Sequence, residues 1–301
     1  MTSIQARLSK PLLRRLFAGW TEGPIATQRA RQEQRAKFTP LPRRIACQPV
    51  SINGIPGEWI IPPNAASGVM LYLHGGAYNL GSVNASRDLI ARLSAATQCQ
   101  TLAIDYRLAP EHPFPAALAD ATAVYRWLLT EGISPNCLFL AGDSAGGGLA
   151  VATLLALRDG EAPLPAGALC LSPWVDLALT GAAIRDKAAV DPILDVASLA
   201  RYAAAYAATT ALTSPYISPL YADLRGLPPL LIQAGSEEIL LDDATRLAQK
   251  ARRDGVAVTL HIWDGLFHVF PAVPFLPETR QALQEAARFV AGLAGGEQTS
   301  G

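Results

Sequence analysis

Hydrophobic positions along the chain alternate between two periods, and the switches between them divide it into elements. Residues 69–73, 101–104, 137–141, 168–171 and 230–234 are short, predominantly apolar runs, interrupted only by Thr101 and Gln233. Runs of that length, bounded by turn residues, predict strands buried on both faces. Between them, apolar residues recur every three or four positions over 88–97, 116–130, 147–157, 241–254 and 277–293, which predicts amphipathic or buried helices. Residues 256–263 read as a last strand, and 43–50 with 58–61 as a strand pair joined around Asn53-Gly54. Strands alternating with helices in this way specify an α/β fold with a mostly parallel sheet covered on both sides.

Two stretches stand outside the alternation. Residues 174–229 hold no clear central strand, only prolines and helical patches such as 198–208. An excursion of that size from a compact domain is usually a lid or a functional insertion. At the start of the chain Leu8, Leu12, Leu16 and Trp20 recur at helical spacing, among the basic residues Arg7, Lys10, Arg14 and Arg15. A basic amphipathic helix can lie on a membrane; the preferred expectation is a helix folded over the protein's own apolar surface. The predicted organisation is cap helices at 1–40, a core at 41–180 and 226–301, and a cap insertion at 181–225. The polar tail 295–301 is expected to fray.

Composition narrows the function classes. The formal net charge is zero and half of the 301 residues are hydrophobic, so no nucleic-acid or acidic partner is called for. The four cysteines (Cys47, Cys99, Cys137, Cys170) are scattered, which fits reduced, buried thiols rather than a disulfide framework. With no CxxC spacing and only four histidines, neither a metal nor a cofactor is expected. The charged N-terminal segment argues against a signal peptide, and no apolar run is long enough to span a membrane. The expected location is the cytoplasm.

Candidate chemistry centres on Gly142-Asp143-Ser144-Ala145-Gly146, a G-x-S-x-G pentapeptide between a predicted strand and a predicted helix. A serine on so sharp a turn projects from the sheet above a helix N-terminus, and its small neighbours allow the turn. A hydroxyl needs a base to become a nucleophile, and the base needs a third group to orient it. His268, in the loop after the last predicted strand, fits the base better than His261, His112 or His74. For the acid, Asp242 and Asp243 read as first-turn residues of the next helix. That leaves Glu237 and Glu238, with Glu238 preferred. His74-Gly75-Gly76-Ala77 follows a strand, so the amides of Gly75 and Gly76, with that of Ala145, are candidate oxyanion donors.

His74-Gly75-Gly76-Ala77, Tyr106-Arg107-Leu108-Ala109-Pro110-Glu111 and the serine pentapeptide occur in that order. In this the chain resembles the bacterial hormone-sensitive-lipase family of carboxylesterases, family IV, over nearly its whole length. The resemblance implies an α/β-hydrolase fold of about eight strands under a helical cap. It implies cofactor-free hydrolysis of short-chain, small-molecule acyl esters, and a homodimer formed through the last strand. The family commonly places Asp-Pro-Leu-x-Asp after the seventh strand, the first Asp being the triad acid. Here Glu238-Ile239-Leu240-Leu241-Asp242 fills that register, so a Glu replaces it. Asp143 is expected to tie the elbow to the oxyanion loop, and Arg107 with Glu111 to form an ion pair. Trp174, residues 212–216 and Tyr78 are equally compatible with a pocket or with plain packing. The same residue set also serves amidases and acyltransferases; a ligand-binding protein without turnover and a long-chain lipase are weaker alternatives.

Overall fold

Eight strands form one sheet in the order β1-β2-β4-β3-β5-β6-β7-β8. The computed structural model describes residues 2–294 except positions 20, 38, 40 and 67, so Trp20 and the 295–301 tail lie outside the described residues. The first two strands, β1 (Ala46–Ile52) and β2 (Ile55–Ile61), are a hairpin around Asn53-Gly54, and β2 runs antiparallel to β4. The remaining strands are parallel: β3 (Val69–Leu73), β4 (Gln100–Ile104), β5 (Leu138–Asp143), β6 (Gly167–Leu171), β7 (Leu230–Gly235) and β8 (Val258–Trp263).

Side-chain alternation explains why these runs are apolar throughout. Leu71, Leu73, Leu138 and Leu140 point into the larger core, whereas Met70, Tyr72, Phe139 and Ala141 point into the smaller one on the other face. Of the helices, α3 (Val83–Thr97) and α9 (Pro277–Ala294) cover the smaller core. The larger is covered by α4 (Ala116–Thr130), α5 (Ala145–Asp159) and α8 (Leu241–Arg253). Predicted and observed boundaries agree within a few residues, the largest shift being α3, which starts at Val83 where Ser82 caps it.

Chain direction places the site. From β3 the chain steps outward to β4, then returns past β3 to β5, so the loops after β3 and β5 part over a crevice at the carboxyl ends of the strands. Over that crevice lie α1 (Ile4–Phe17), α2 (Ile25–Ala36) and α7 (Val196–Ala207) of the insertion, whose short α6 (Ala183–Asp186) packs against α8 instead.

Three expectations need correction. The α1 stripe does not fold inward: Leu8, Leu12 and Leu16 are exposed, and α1 instead buries Ala6, Ser9 and Leu13. Arg107 and Glu111 do not pair with each other. Arg107 grips Asp120 of α4 at 2.7 Å, and Glu111 pairs with Arg29 of α2 at 2.8 Å, because each is closer to a charge the fold brings in from elsewhere. Cys99 and Cys170 are buried free thiols, but Cys137 is exposed, since a 3₁₀ turn over Pro135–Cys137 delays the start of β5, and Cys47, on the edge strand β1, is half-buried.

Candidate active site

Ser144 sits at the β5–α5 turn with φ 53° and ψ −121°, a conformation that costs a non-glycine residue about 1–3 kcal/mol. Its amide donates to Leu171 O at 2.8 Å and its carbonyl accepts from Trp174 N at 2.9 Å, so the strained turn is fixed on both sides. The flanking glycines have no room for a methyl group. A Cβ on Gly146 would lie 1.9 Å from Leu73 O, and one on Gly142 2.3 Å from Gly146 O. Ala77, Tyr78, Ser172 and Val269, on the loops around the crevice, also have positive φ.

His268 and Ser144 are brought together. Nε2 of His268 lies 2.9 Å from Ser144 Oγ, and both side chains are buried. On the other side of the ring, Nδ1 faces Glu238 Oε1 at 3.6 Å, close enough for ion-pair attraction but longer than a hydrogen bond. Neither atom has another partner, so the gap is bounded by one unsatisfied donor site and one unsatisfied acceptor. Burial pulls the His268 pKa down, but the Glu238 carboxylate, helped by Asp191 and Asp143, outweighs it and leaves the pKa above 6.5.

Glu238 is completely buried, and its second oxygen is held by Ser172 Oγ at 2.8 Å and Gly235 N at 3.0 Å. The other acidic candidates have separate tasks. Glu237 pairs with Lys10 of α1 at 2.7 Å, Asp242 accepts from Ala183 N, and Asp243 accepts from Val175 N and Asp176 N. Of the remaining histidines, His74 is buried against Tyr106, burial lowering its pKa, and His261 pairs with Glu285.

Two residues with no local signal complete this wall. Ser172, directly after β6, donates to Glu238 and accepts from Val269 N at 3.0 Å, joining the acid to the chain beside His268. Asp191 accepts from Ile193 N, Leu194 N and Ile239 N, which anchors the insertion to the residue after Glu238. Only the folded loops bring these partners within reach, so no spacing in the sequence announces them.

The glycine loop departs from expectation at one position. Gly75 N donates to Asp143 Oδ1 at 3.0 Å, so this amide is committed inside the protein rather than aimed into the crevice. Asp143 also accepts from Tyr72 Oη at 2.7 Å; burial raises its pKa, against the pull of those hydrogen bonds and of His74. The amides of Gly76 and Ala77 have no acceptor among the described residues, and Ala145, at the first position of α5, has no intrahelical one. Gly76, Ala77, Ser144 and His268 line a cavity of about 320 Å³, closed on the far side by Phe17, Leu199 and Tyr202. Trp174, Tyr78 and residues 212–216 do not line it. Trp174 and Tyr78 are core, Tyr78 stacking on Tyr206 with ring centroids 3.9 Å apart.

Among the described residues, no group of three or more His, Cys, Asp or Glu is placed to hold a metal ion, and no helix is long and apolar enough to cross a membrane. A serine hydroxyl against a buried imidazole, a carboxylate behind the ring and free amides at one small cavity are groups that acyl transfer through a serine can use.

Known proteins are similar to this chain. The sequence pattern of the α/β-hydrolase fold family matches residues 70–272. An acetyl-hydrolase of Streptomyces hygroscopicus is 48% identical over 242 residues, 80% of this chain and 81% of its own length. An esterase of Acinetobacter venetianus is 36% identical over 263 residues, 87% of each chain. The crystal structure of an esterase from the bacterial hormone-sensitive lipase family superposes with a TM-score of 0.93 at 41% identity, covering 98% of this chain and 100% of that one.

Proposed function

The chain belongs to the α/β-hydrolase fold family and, within it, to the bacterial hormone-sensitive-lipase esterases, and from that premise we propose that it hydrolyses short-chain acyl esters through Ser144, His268 and Glu238. That it is a carboxylic ester hydrolase follows from its relatives; the residue roles are our reading. The observation that carries them is the 2.9 Å contact between Ser144 Oγ and His268 Nε2 inside a cavity lined by unused amides.

In this mechanism Ser144 Oγ attacks the ester carbonyl while His268 Nε2 takes its proton. The imidazolium is stabilised by Glu238, whose unpartnered oxygen closes on Nδ1 as the ring becomes charged. The oxyanion is received by the amides of Gly76, Ala77 and Ala145, each worth about 3–4 kcal/mol if removed from such a hole. His268 then returns the proton to the departing alcohol, leaving an acyl group on Ser144. Water, deprotonated by the same histidine, then attacks the acyl carbon; the bond to Ser144 Oγ breaks, Oγ takes the proton back from Nε2, and the acid is released. Every proton in the cycle is moved by protein side chains.

Residues 1–40 and 181–225 act as a cap, a reading supported by the cavity walls that Phe17, Gln32, Leu199 and Tyr202 contribute. The small cavity supports short acyl chains, and the name of the Streptomyces relative points the same way. The family resemblance extends the proposal to a homodimer formed along the outer edge of β8.

The test is hydrolysis of chromogenic esters of increasing acyl length, with rapid quenching and intact-mass measurement. Wild type is expected to favour short chains and to carry one acyl group on Ser144 during turnover. Ser144→Ala is expected to lose both the acyl adduct and about 10⁴–10⁶-fold in kcat. An acyl adduct on another residue, or retained turnover in Ser144→Ala, overturns the assignment.

A further inference from the structure

The outer face of α1 is covered by nothing in the fold. Ile4 is 73% exposed, Leu8 72%, Leu12 56% and Leu16 47%. Spaced four apart, they form one continuous stripe along the helix. Near its N-terminal end Phe275 is 61% exposed, three residues before Glu278, whose carboxylate accepts from Ser3 N and Oγ. Beside its C-terminal half, Val190 is 39% exposed, where Arg14 donates to Ala189 O and Val190 O. Scattered apolar residues need no explanation, but a run of large ones along a single helix marks a contact surface.

Charge identifies what the surface contacts. The helix carries Arg7, Lys10, Arg14 and Arg15 and no acidic residue. Lys10 is engaged by Glu237, whereas Arg7 and Arg15 are exposed and make no ion pair among the described residues. On the helical wheel Arg15 falls within the arc of the stripe and Arg7 beside it, where long stems lie along an apolar surface and their heads reach outward. A second copy packed across this face would set arginine against arginine with no carboxylate from α1 to neutralise it. A layer of anionic lipid offers acyl chains to the leucines and negative headgroups to the arginines.

We propose that the outer face of α1 is a docking surface for anionic lipid. This goes beyond the esterase reading, and it is tested by binding rather than turnover. Docking there acts close to the chemistry. The opposite face of the helix packs Ala6 and Leu13 into a cluster with Leu266, Phe267 and Phe270, the loop that carries His268, and Phe17 at its end lines the cavity.

The experiment is co-sedimentation with vesicles of phosphatidylcholine alone and with about a third of it replaced by phosphatidylglycerol. Wild type is expected to pellet with the anionic vesicles, far less with the neutral ones, and to be released by salt, since exposed charges are screened within about 10 Å at 0.1 M. Leu8→Ser with Leu12→Ser is expected to weaken binding about tenfold or more, with turnover of a soluble short-chain ester unchanged as the check on folding. Should that pair misfold, Arg7→Gln with Arg15→Gln is expected to remove the preference for anionic vesicles while leaving the apolar stripe in place. Failure of wild type to bind, or equal binding by these variants, overturns the proposal. So does a wild-type dimer that the leucine substitutions dissociate in sedimentation velocity, which assigns the face to a second copy.

Discussion

The turn that holds Ser144 and the layer formed by α1 and α2 face each other across one cavity, and they are built by opposite means. At the turn, backbone lies against backbone: methyl groups on Gly142 or Gly146 would collide with carbonyl oxygens at 2.3 and 1.9 Å. Gly148 is equally tight against Trp174 O, at 2.0 Å. The α1–α2 layer is held by long polar side chains. Lys10 reaches Glu237, Arg29 reaches Asn79 O, Ala109 O and Glu111, Gln32 accepts from Gly81 N, and Glu33 binds Ser82 and Asn84. Gln28 is the one buried residue of α2, and it binds Thr21 O, Gly23 O and the Tyr202 hydroxyl. Close-packed backbone leaves the Ser144 turn no room to shift. Polar side chains hold a layer through contacts that are each modest in strength and exchangeable with water.

The largest effect should come from the turn. Gly146→Ala has no space for its added methyl group, and neither β3 nor α5 can retreat without losing the sheet. The expected outcome is little soluble protein, with any that folds melting well below wild type; a variant as stable as the parent would show the turn to be more plastic than its contacts imply. Next comes Glu238→Gln, which should lower kcat about 10³–10⁴-fold while the fold survives. Its pH profile tests the cause. A base works when neutral, so activity falls as pH drops through the His268 pKa, which the carboxylate holds above 6.5. Removing that charge leaves burial opposed only by the weaker pull of Asp191 and Asp143, so the acidic limb of kcat/KM should move to lower pH; an unmoved limb would detach Glu238 from His268.

A smaller change is expected from Ser172→Ala, which removes one of the two donors to the rear oxygen of Glu238 and the acceptor for Val269 N. A loss of about tenfold in kcat with KM little changed would mark Ser172 as a positioning residue. The smallest belongs to the layer. Lys10→Met breaks a half-exposed ion pair worth about 1 kcal/mol or less, so the melting temperature should fall by no more than about 4 °C. A large loss of kcat in that variant would mean the layer is as rigidly coupled to the chemistry as the turn, and the contrast between them would collapse.

The same contrast decides what could be read in advance. Strands β3 to β8 and helices α4, α5, α8 and α9 were legible because each repeats one pattern over its own length. The contact between Ser144 and His268 was foreseeable because a glycine-flanked turn and a loop after the last strand are local features in a fixed order. By comparison α2, almost wholly polar, carries no apolar period to read. Its stability comes from Gln28, Arg29, Gln32 and Glu33 binding segments tens of residues away.

By itself, then, the sequence determined the α/β sheet, the sharp strand-to-helix turn at Ser144 and the loop that carries His268, since propensity and hydrophobic period act between near neighbours. Tertiary structure alone decided which amide was spent. Asp143 lies at the end of β5 and Gly75 just beyond β3, and only their pairing in the sheet sets Gly75 N on the carboxylate instead of in the cavity. It also decided that Arg107 would meet Asp120 and Glu111 meet Arg29, and that the leucines of α1 would face outward. Those outcomes depend on which surfaces meet across the whole chain, and a one-dimensional pattern carries no record of that.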